Sequence, residues 1–475
     1  MADDRPNILL IMTDQQRGDA LGLEGHPVLQ TPYLDHLGAS GLHFRHAYSA
    51  CPQCVPARRT LMSGRSAHGH GLYNNGSGPL PWPTLAGEMT RAGYHTHLCG
   101  KLHLQPQRKL YGFMSADWAD APHLNSGGAD WTGDYGRWLR ERGCDEFEPG
   151  MGHGADCNGW AARPWHLDER LHFTNWATEM ALRFYQRRDP TAPFFLKVSY
   201  HQPHQPCTPP QAYWDRYIDA DLPMPFEAEW SKKQDGPEPG LPVASWQTAL
   251  PEAQMRQFRA GYFGCINHID DQIGRLLRWT PKNTVVLFCS DHGEMLGDHQ
   301  WIRKARALEP SIRVPFLMKL PQELGIEQGR RIDAPVELMD VMPTLLDCAG
   351  IDIPDTVEGS SLLPHLRGAA GWRKRVHGEM GGMGGENSGM QFLTEGPRKY
   401  IWEPGLDREL FFDLGQDPEE LHPVPLDGER AAEIDDFRQD LIRRLDGRPE
   451  GFVKDGKLVA LPGKTRGTAD PLPAP

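Results

Sequence analysis

No apolar run in the 475 residues is long enough to cross a bilayer. A disulfide framework is also missing: the nine cysteines are an odd number, thinly scattered and without framework spacing. Excess positive charge is absent. The formal net charge of −13 argues against a nucleic-acid partner, although a local basic pocket is still allowed. The start, MADDRPNILLIMTD, has acids where a secretory signal has a basic flank, and its apolar run from Ile8 to Met12 is short. Internal repeats are not seen. These absences point to a reduced, cytoplasmic protein with no membrane and no nucleic-acid partner. In that setting a special cysteine is expected to be catalytic rather than bridged.

Short apolar runs ending in polar residues are present. They are NILLIMTD (7–14), HTHLCGK (95–101), PFFLKVSYH (193–201), NTVVLFCSDHG (283–293) and VPFLMKLP (314–321). Helical patterns lie between them. In EAQMRQFRAGYFGCINHIDDQIGRLLRW, Phe258, Tyr262, Cys265, Ile269, Ile273 and Leu276 recur at helical spacing. Strands alternating with helices predict an α/β fold with a mostly parallel central sheet flanked by helices. Ligands bind such sheets at the carboxyl ends of the strands, and Asp14, Lys101, His201 and Asp291 fall at such ends. The length predicts a large domain over residues 1–367 and a second piece. Residues 368–475 read as a smaller C-terminal α+β subdomain. It holds the glycine-rich GEMGGMGGENSGM, a strand-like RKYIW and a helix RAAEIDDFRQDLIRRL. The tail GKTRGTADPLPAP is expected to drape over the surface or a partner.

The stretch CPQCVPARRTLMSGR (51–65) puts Pro56 in the first turn of a helix. Cys54 then sits at the helix start, where free N–H groups favour an anion. Arg58 and Arg65 add positive charge nearby, and Cys51 reads as structural. Asp14 in MTDQQ and the pair Asp291 and His292 in SDHGEMLGDHQ end strands and suit a hard divalent cation. An Asp at a strand end is also an ordinary helix cap. In GKLHL, Lys101 and His103 are two apart, so a strand would turn both into one pocket. Lysine there can neutralise an oxyanion and histidine can carry a proton. HQPHQP holds His201 and His204 on a stiff loop, Lys304 follows the Asp-His pair, and YNNGSG offers an amide.

In chain order these stretches resemble the type I sulfatases of the alkaline phosphatase superfamily. Cys-x-Pro-x-Arg with TLMSGR, GKLHL, SDHGEMLGDH with Lys304 and SIRVP, and ELFFDLGQDPEE carry the resemblance. It implies an alkaline phosphatase-like fold and hydrolysis of an aryl or alkyl sulfate monoester to alcohol and sulfate. It also implies that Cys54 is converted to formylglycine by a formylglycine-generating enzyme. The resulting gem-diol would be the nucleophile, forming a covalent sulfo-enzyme intermediate. Asp14, Gln15, Cys54, Asp291 and His292 would hold one divalent metal, most often Ca²⁺, which polarises the sulfate. Arg58 would hold the diol, and Lys101 and Lys304 the sulfate oxygens. His204 would protonate the leaving alcohol, with His201 as the substitute. His103 would deprotonate the second hydroxyl, and Asn75, or failing it Asn74, would contact substrate.

Many members of that family have two consecutive Asp residues after the first strand, where this chain has Asp14 and Gln15. The glutamine resembles the branch of choline sulfatases and phosphonate monoester hydrolases, and leaves Mg²⁺ and Mn²⁺ open beside Ca²⁺. Phosphonate and phosphodiester hydrolases usually lack the Lys and His of GKLHL, so sulfate esters are favoured. Two rivals stand: a phosphonate monoester or phosphodiester hydrolase, and a non-catalytic anion-binding protein with an unmodified Cys54. The alcohol is not readable. GMGHGADCNGWAARPWHLDERLHF (150–173) and the glycine-rich loop, with Glu379 and Glu386 for a cationic substrate, are the segments that could shape its side. Homo-oligomer formation is left open.

Overall fold

In the computed structural model the described residues are 5–120, 133–144, 155, 158–231, 249–381 and 389–461. The strand Asn7–Asp14 (β1) is buried from Ile8 onward. Ile8, Leu10 and Met12 join the apolar cluster on one side of the sheet, while Leu9 and Ile11 join that on the other. A strand covered on both faces needs such an uninterrupted apolar run. β2 is Leu42–Phe44, β3 Ala47–Tyr48, β4 His95–Gly100, β5 Ser115–Trp118 and β6 Phe194–Pro203. β7 is Thr284–Ser290, β8 Phe316–Lys319, β9 Arg330–Ile332 and β10 Val336–Glu337. Eight of these form one sheet in the order β5-β4-β6-β1-β7-β8-β2-β9, and β3 pairs with β10 apart from it. The pairs from β5 through β7, and β2 with β9, are parallel. β8 runs antiparallel to both its neighbours. The sheet is therefore mostly parallel.

Helices cover both faces. Glu252–Leu277 buries all six of the apolar positions predicted from spacing. On the opposite face Cys54–Ser63 sets Ala57, Leu61 and Met62 against the residues of β1. It ends at Gly64, whose left-handed φ of 64° lets its N–H close on the Thr60 carbonyl.

Four antiparallel strands follow: β11 Val376–Met380, β12 Met390–Glu395, β13 Arg398–Glu403 and β14 Arg408–Asp413. Ile434, Phe437, Leu441 and Leu445 of the helix Ala431–Leu445 pack on one face. The other face, with Phe392, Ile401 and Phe412, meets Met295, Ala307, Leu308 and Ile312 of the large domain. Buried Lys399 joins the two parts, 2.7 Å from both Glu309 and Glu420. The division expected after Arg367 falls between the helix Leu362–Leu366 and β11. Glu386, the first residues of the 150–173 segment and the tail from Gly463 lie outside the described residues.

The GKLHL segment differs from expectation. β4 stops at Gly100, where a side-chain carbon would stand 2.1 Å from the Ser199 carbonyl oxygen. Lys101 and His103 therefore leave the strand, and His103 adopts a φ of 54°. They are brought together by a loop and not by strand alternation.

Candidate active site

Asp14 ends β1, Asp291 follows β7, Lys101 follows β4 and His204 follows β6, so four neighbouring strands deliver their carboxyl ends to one place. Cys54 is the first residue of its helix and Gln53 the extended residue before it. The start of that helix is gripped by the YNNGSG turn. Val55 N–H donates to Asn75 Oδ1 at 2.9 Å, Asn75 N–H to Gln53 Oε1 at 3.0 Å, and Gln53 Nε2 to Asn74 Oδ1 at 2.9 Å. Asn75 thus positions the helix, a task its sequence context did not reveal.

Arg58, one turn on, is 1% exposed, and all three of its nitrogens are engaged. Its Nε donates to Asp291 Oδ2 at 2.9 Å and its Nη2 to Asp14 Oδ2 at 3.0 Å. Its Nη1 donates to the Lys101 carbonyl and to Ser199 Oγ, both at 3.0 Å. One guanidinium therefore ties all four strand ends. Lys101 Nζ adds an ion pair with Asp14 Oδ2 at 2.7 Å. Burial works against the Asp14 carboxylate, but Lys101, His204, Arg58 and His292 hold it well below the usual carboxylate range.

Donor atoms of Asp14, Cys54, Asp291 and His292 all lie within 4.8 Å of one another, and all four residues are buried. His292 Nδ1–H donates to the Gly293 carbonyl at 3.0 Å. That bond fixes the tautomer and leaves the Nε2 lone pair facing inward, 3.2 Å from Cys54 Sγ and 3.9 Å from an Asp14 oxygen. The sulfur marks the position an oxygen nucleophile would occupy after modification. Two carboxylates, an imidazole and that oxygen fit a divalent cation. Gln15, expected among these ligands, has its amide turned elsewhere. Its Oε1 accepts from Lys304 Nζ at 2.6 Å, and its Nε2 donates to Gln205 Oε1 at 2.6 Å and to Glu294 Oε2. Its backbone has a φ of 72°.

Lys304 Nζ also donates to His204 Nε2 at 3.0 Å, while His204 Nδ1–H donates to the Gln205 carbonyl at 2.8 Å. His201 lies beside it, ring centres 4.9 Å apart, with Nε2 3.2 Å from that same carbonyl. Burial and Lys304 push His204 well below the ordinary histidine range. Burial, Lys101 and Arg58 do the same to His103. The His103 backbone N–H is anchored to Asp120 Oδ1 at 2.7 Å. Burial and Asp14 raise the Cys54 thiol, but Lys304, Lys101 and His292 outweigh them and hold it below the ordinary cysteine value. Cys51 is the opposite case: burial and Glu379 push it well up.

Two expectations are corrected. Arg65 adds no charge to this pocket; it pairs with Glu358 at 2.9 Å and lies over the Trp82 ring. Glu379 is held by Arg448 and by the His68 N–H, so its carboxylate already has a cation. Ser199, Gln205, Glu294 and Asp120 were missed. Gln205 and Glu294 lie inside the quoted motifs, but nothing in their spacing separates a support from a spectator.

Basic groups converging on paired carboxylates at the strand ends of a doubly covered sheet define a hydrolase of anionic esters. The chain belongs to the sulfatase family: the family described as Sulfatase matches residues 6–351. The family described as N-sulphoglucosamine sulphohydrolase, C-terminal, matches residues 297–446. An arylsulfatase of Clostridium perfringens is 40% identical, covering 96% of this chain and 97% of its own. A choline-sulfatase of Rhizobium meliloti is 30% identical over 89% of this chain and 82% of its own. The crystal structure of a phosphonate monoester hydrolase of Agrobacterium radiobacter superposes with a TM-score of 0.78. It shares 25% identity and covers 92% of this chain and 95% of its own. The protein is a sulfuric ester hydrolase.

Proposed function

We propose that the chain cleaves an aryl or alkyl sulfate monoester with residue 54 as nucleophile, Cys54 being converted to formylglycine by a maturation enzyme. The observation that carries this is the placement of Cys54. It heads a helix, with His292 Nε2 3.2 Å away and Lys101 and Lys304 acting on its thiol. Formylglycine would supply a hydrated aldehyde oxygen at that point. Asp14, Asp291 and His292 would hold a divalent metal, Ca²⁺ by preference, which supplies Lewis-acid polarisation of the sulfate.

The remaining work belongs to the protein's own groups. Arg58 helps to hold Asp14 well below the usual carboxylate range and fixes Asp291 through its Nε. Lys101 and Lys304 neutralise the sulfate oxygens as charge shifts to them. His204 Nε2 is the acceptor of the Lys304 proton in this structure, so it is poised to receive a proton and pass it to the leaving oxygen. Negative charge from a sulfate ester beside it raises its proton affinity. His103 is held neutral by burial, with Lys101 and Arg58 adding to it, and is assigned to take a proton. Asn75 acts on substrate through the helix start it holds. Gln15 completes the metal site only if its amide leaves Lys304. The described cysteines are all free thiols, which supports a cytoplasmic location.

The experiment is mass spectrometry of the Cys54 peptide from active enzyme, paired with turnover of matched aryl sulfate, phosphate diester and phosphonate esters. The proposal expects the mass of formylglycine at residue 54 and highest kcat/KM on the sulfate. An intact thiol in fully active enzyme would overturn the first part, and a preferred phosphonate the second.

A further inference from the structure

A second group of metal-type donors lies on the other side of the sheet from the Cys54 helix. His97 and Cys99 are two apart on β4, so they share a face. Register places Asp117 of the edge strand β5 opposite Cys99, and Ser115 opposite His97. The donor atoms of His97, Cys99 and Asp117 lie within 4.8 Å of one another. Asp117 Oδ2 is 3.1 Å from His97 Nε2. Ligands of a tetrahedral ion with bonds of about 2.0–2.3 Å stand roughly 3.3–3.8 Å apart, so small side-chain movements suffice.

The imidazole is already oriented. Ser115 Oγ is 2.7 Å from Nδ1, and the Phe184 ring stacks on it with centres 4.9 Å apart and planes 4° apart. When Ser115 O–H donates to Nδ1, Nε2–H donates to Asp117; when Nδ1–H donates to Ser115, the Nε2 lone pair faces the Asp117 oxygen and a metal ion can bridge the two. Cys99 is fully buried, whereas the Asp117 side chain is 38% exposed. The group is therefore closed by protein on one side and open to water on the other, leaving a fourth position for a water ligand.

We propose that His97, Cys99 and Asp117 bind one borderline divalent metal of the zinc class, as a structural site distinct from the Cys54 centre. Thiolate and imidazole ligation excludes the hard Ca²⁺ or Mg²⁺ here. Binding forms a metal–sulfur bond and releases the Cys99 thiol proton to solvent, so affinity rises with pH. The site joins β4 to the edge strand. Three residues beyond Asp117, Asp120 Oδ1 accepts the Leu102 and His103 N–H groups at 3.1 and 2.7 Å. A metal here would brace the strand that anchors the His103 loop.

The test uses full-length Cys54→Ala protein with Ca²⁺ in excess, which removes the sulfur of the other centre, and titrates it with Co²⁺ alone. The expected result is one equivalent bound, with a thiolate-to-cobalt charge-transfer band in the near ultraviolet that Zn²⁺ abolishes. Adding Cys99→Ala should eliminate the band, and Asp117→Asn should weaken binding at least tenfold. Asp117 is partly exposed, so its variant reads the site even if the Cys99 variant does not fold. No band at millimolar Co²⁺ would overturn the proposal and leave a proton as the occupant. A band of equal strength and affinity in the Asp117 and Cys99 variants would overturn it equally.

Discussion

Lys197 lies in mid-strand on β6, between Leu98 of β4 and Leu10 of β1. It is 1% exposed, and its Nζ stands 3.3 Å from the Met12 sulfur. Burial, with Arg58 above it, lowers its pKa from 10.5 to about 7, although Cys289, Asp291 and Asp14 pull the other way. At pH values above 10.5 the amine is neutral in the folded and the unfolded chain, and burying it carries no ionisation penalty. Between pH 10.5 and about 7 the unfolded chain binds the proton and the folded chain does not. Wild-type stability therefore falls by about 1.4 kcal/mol for each unit of decreasing pH. The penalty levels off below pH 7, at on the order of 4–5 kcal/mol. Lys197→Met offers an unbranched apolar chain of similar length and removes it. The variant should be more stable than wild type by about 4 kcal/mol at pH 7 and by only about 1 kcal/mol at pH 9.5, less any packing difference common to both. Guanidinium unfolding of both proteins at the two pH values measures this. If the two unfolding curves keep the same separation at both, Lys197 is not a buried neutral amine and the reasoning is wrong.

Asp291→Ala takes one carboxylate from the four-donor group and leaves Arg58 Nε unpaired. Turnover should drop at least a hundredfold and calcium content should fall below one equivalent, as checked by elemental analysis after gel filtration. Exhaustive chelation of the wild type should abolish activity that added Ca²⁺ restores. His204→Ala should slow sulfates of weakly acidic alcohols by roughly 10²–10⁴ while affecting activated phenyl sulfates far less. A uniform loss across leaving-group pKa would remove His204 from the acid role. Gly378→Val would bring a side-chain carbon within 1.9 Å of the Phe392 ring, so the melting temperature should fall, with a loss on the order of 1–3 kcal/mol.

The strands that deliver Asp14 and Asp291 were legible because they are covered on both faces and apolar almost throughout, so the polar residues that end the run mark the carboxyl edge. β4 and β6 carry His97 and Lys197 within the strand, and there only part of the run is apolar. Helical spacing located Glu252–Leu277, although the helix is buried on all sides from Phe258 to Asp270. What could not be read depends on contacts between distant segments. Arg65 lies one residue beyond the helix C-cap Gly64, which turns it towards Glu358. Gln15 sits next to a carboxylate in sequence, yet its backbone turn carries the amide to Lys304, 289 positions away. Arg58 was expected to hold the diol of residue 54, and its full engagement by four strands appears only when the sheet is assembled. Glu294 is a further case. It accepts from Gln15, from Gln205 and from the backbone N–H groups of Leu296 and Arg303, four places in the chain.

The placement of β1 sets a timetable for synthesis. Of the sheet's strands β1 leaves the ribosome before the others, yet it lies in the interior of the sheet, and its partners β6 and β7 begin only at Phe194 and Thr284. At translation rates of about 5–20 residues per second, Asp14 and Cys54 wait on the order of tens of seconds before β7 exists to close around them. Afterwards Cys54 is 1% exposed, beyond the reach of any macromolecule. A protein that alters this side chain has to act during that interval. The yield of active enzyme should therefore depend on how slowly the ribosome moves from codon 54 to codon 290.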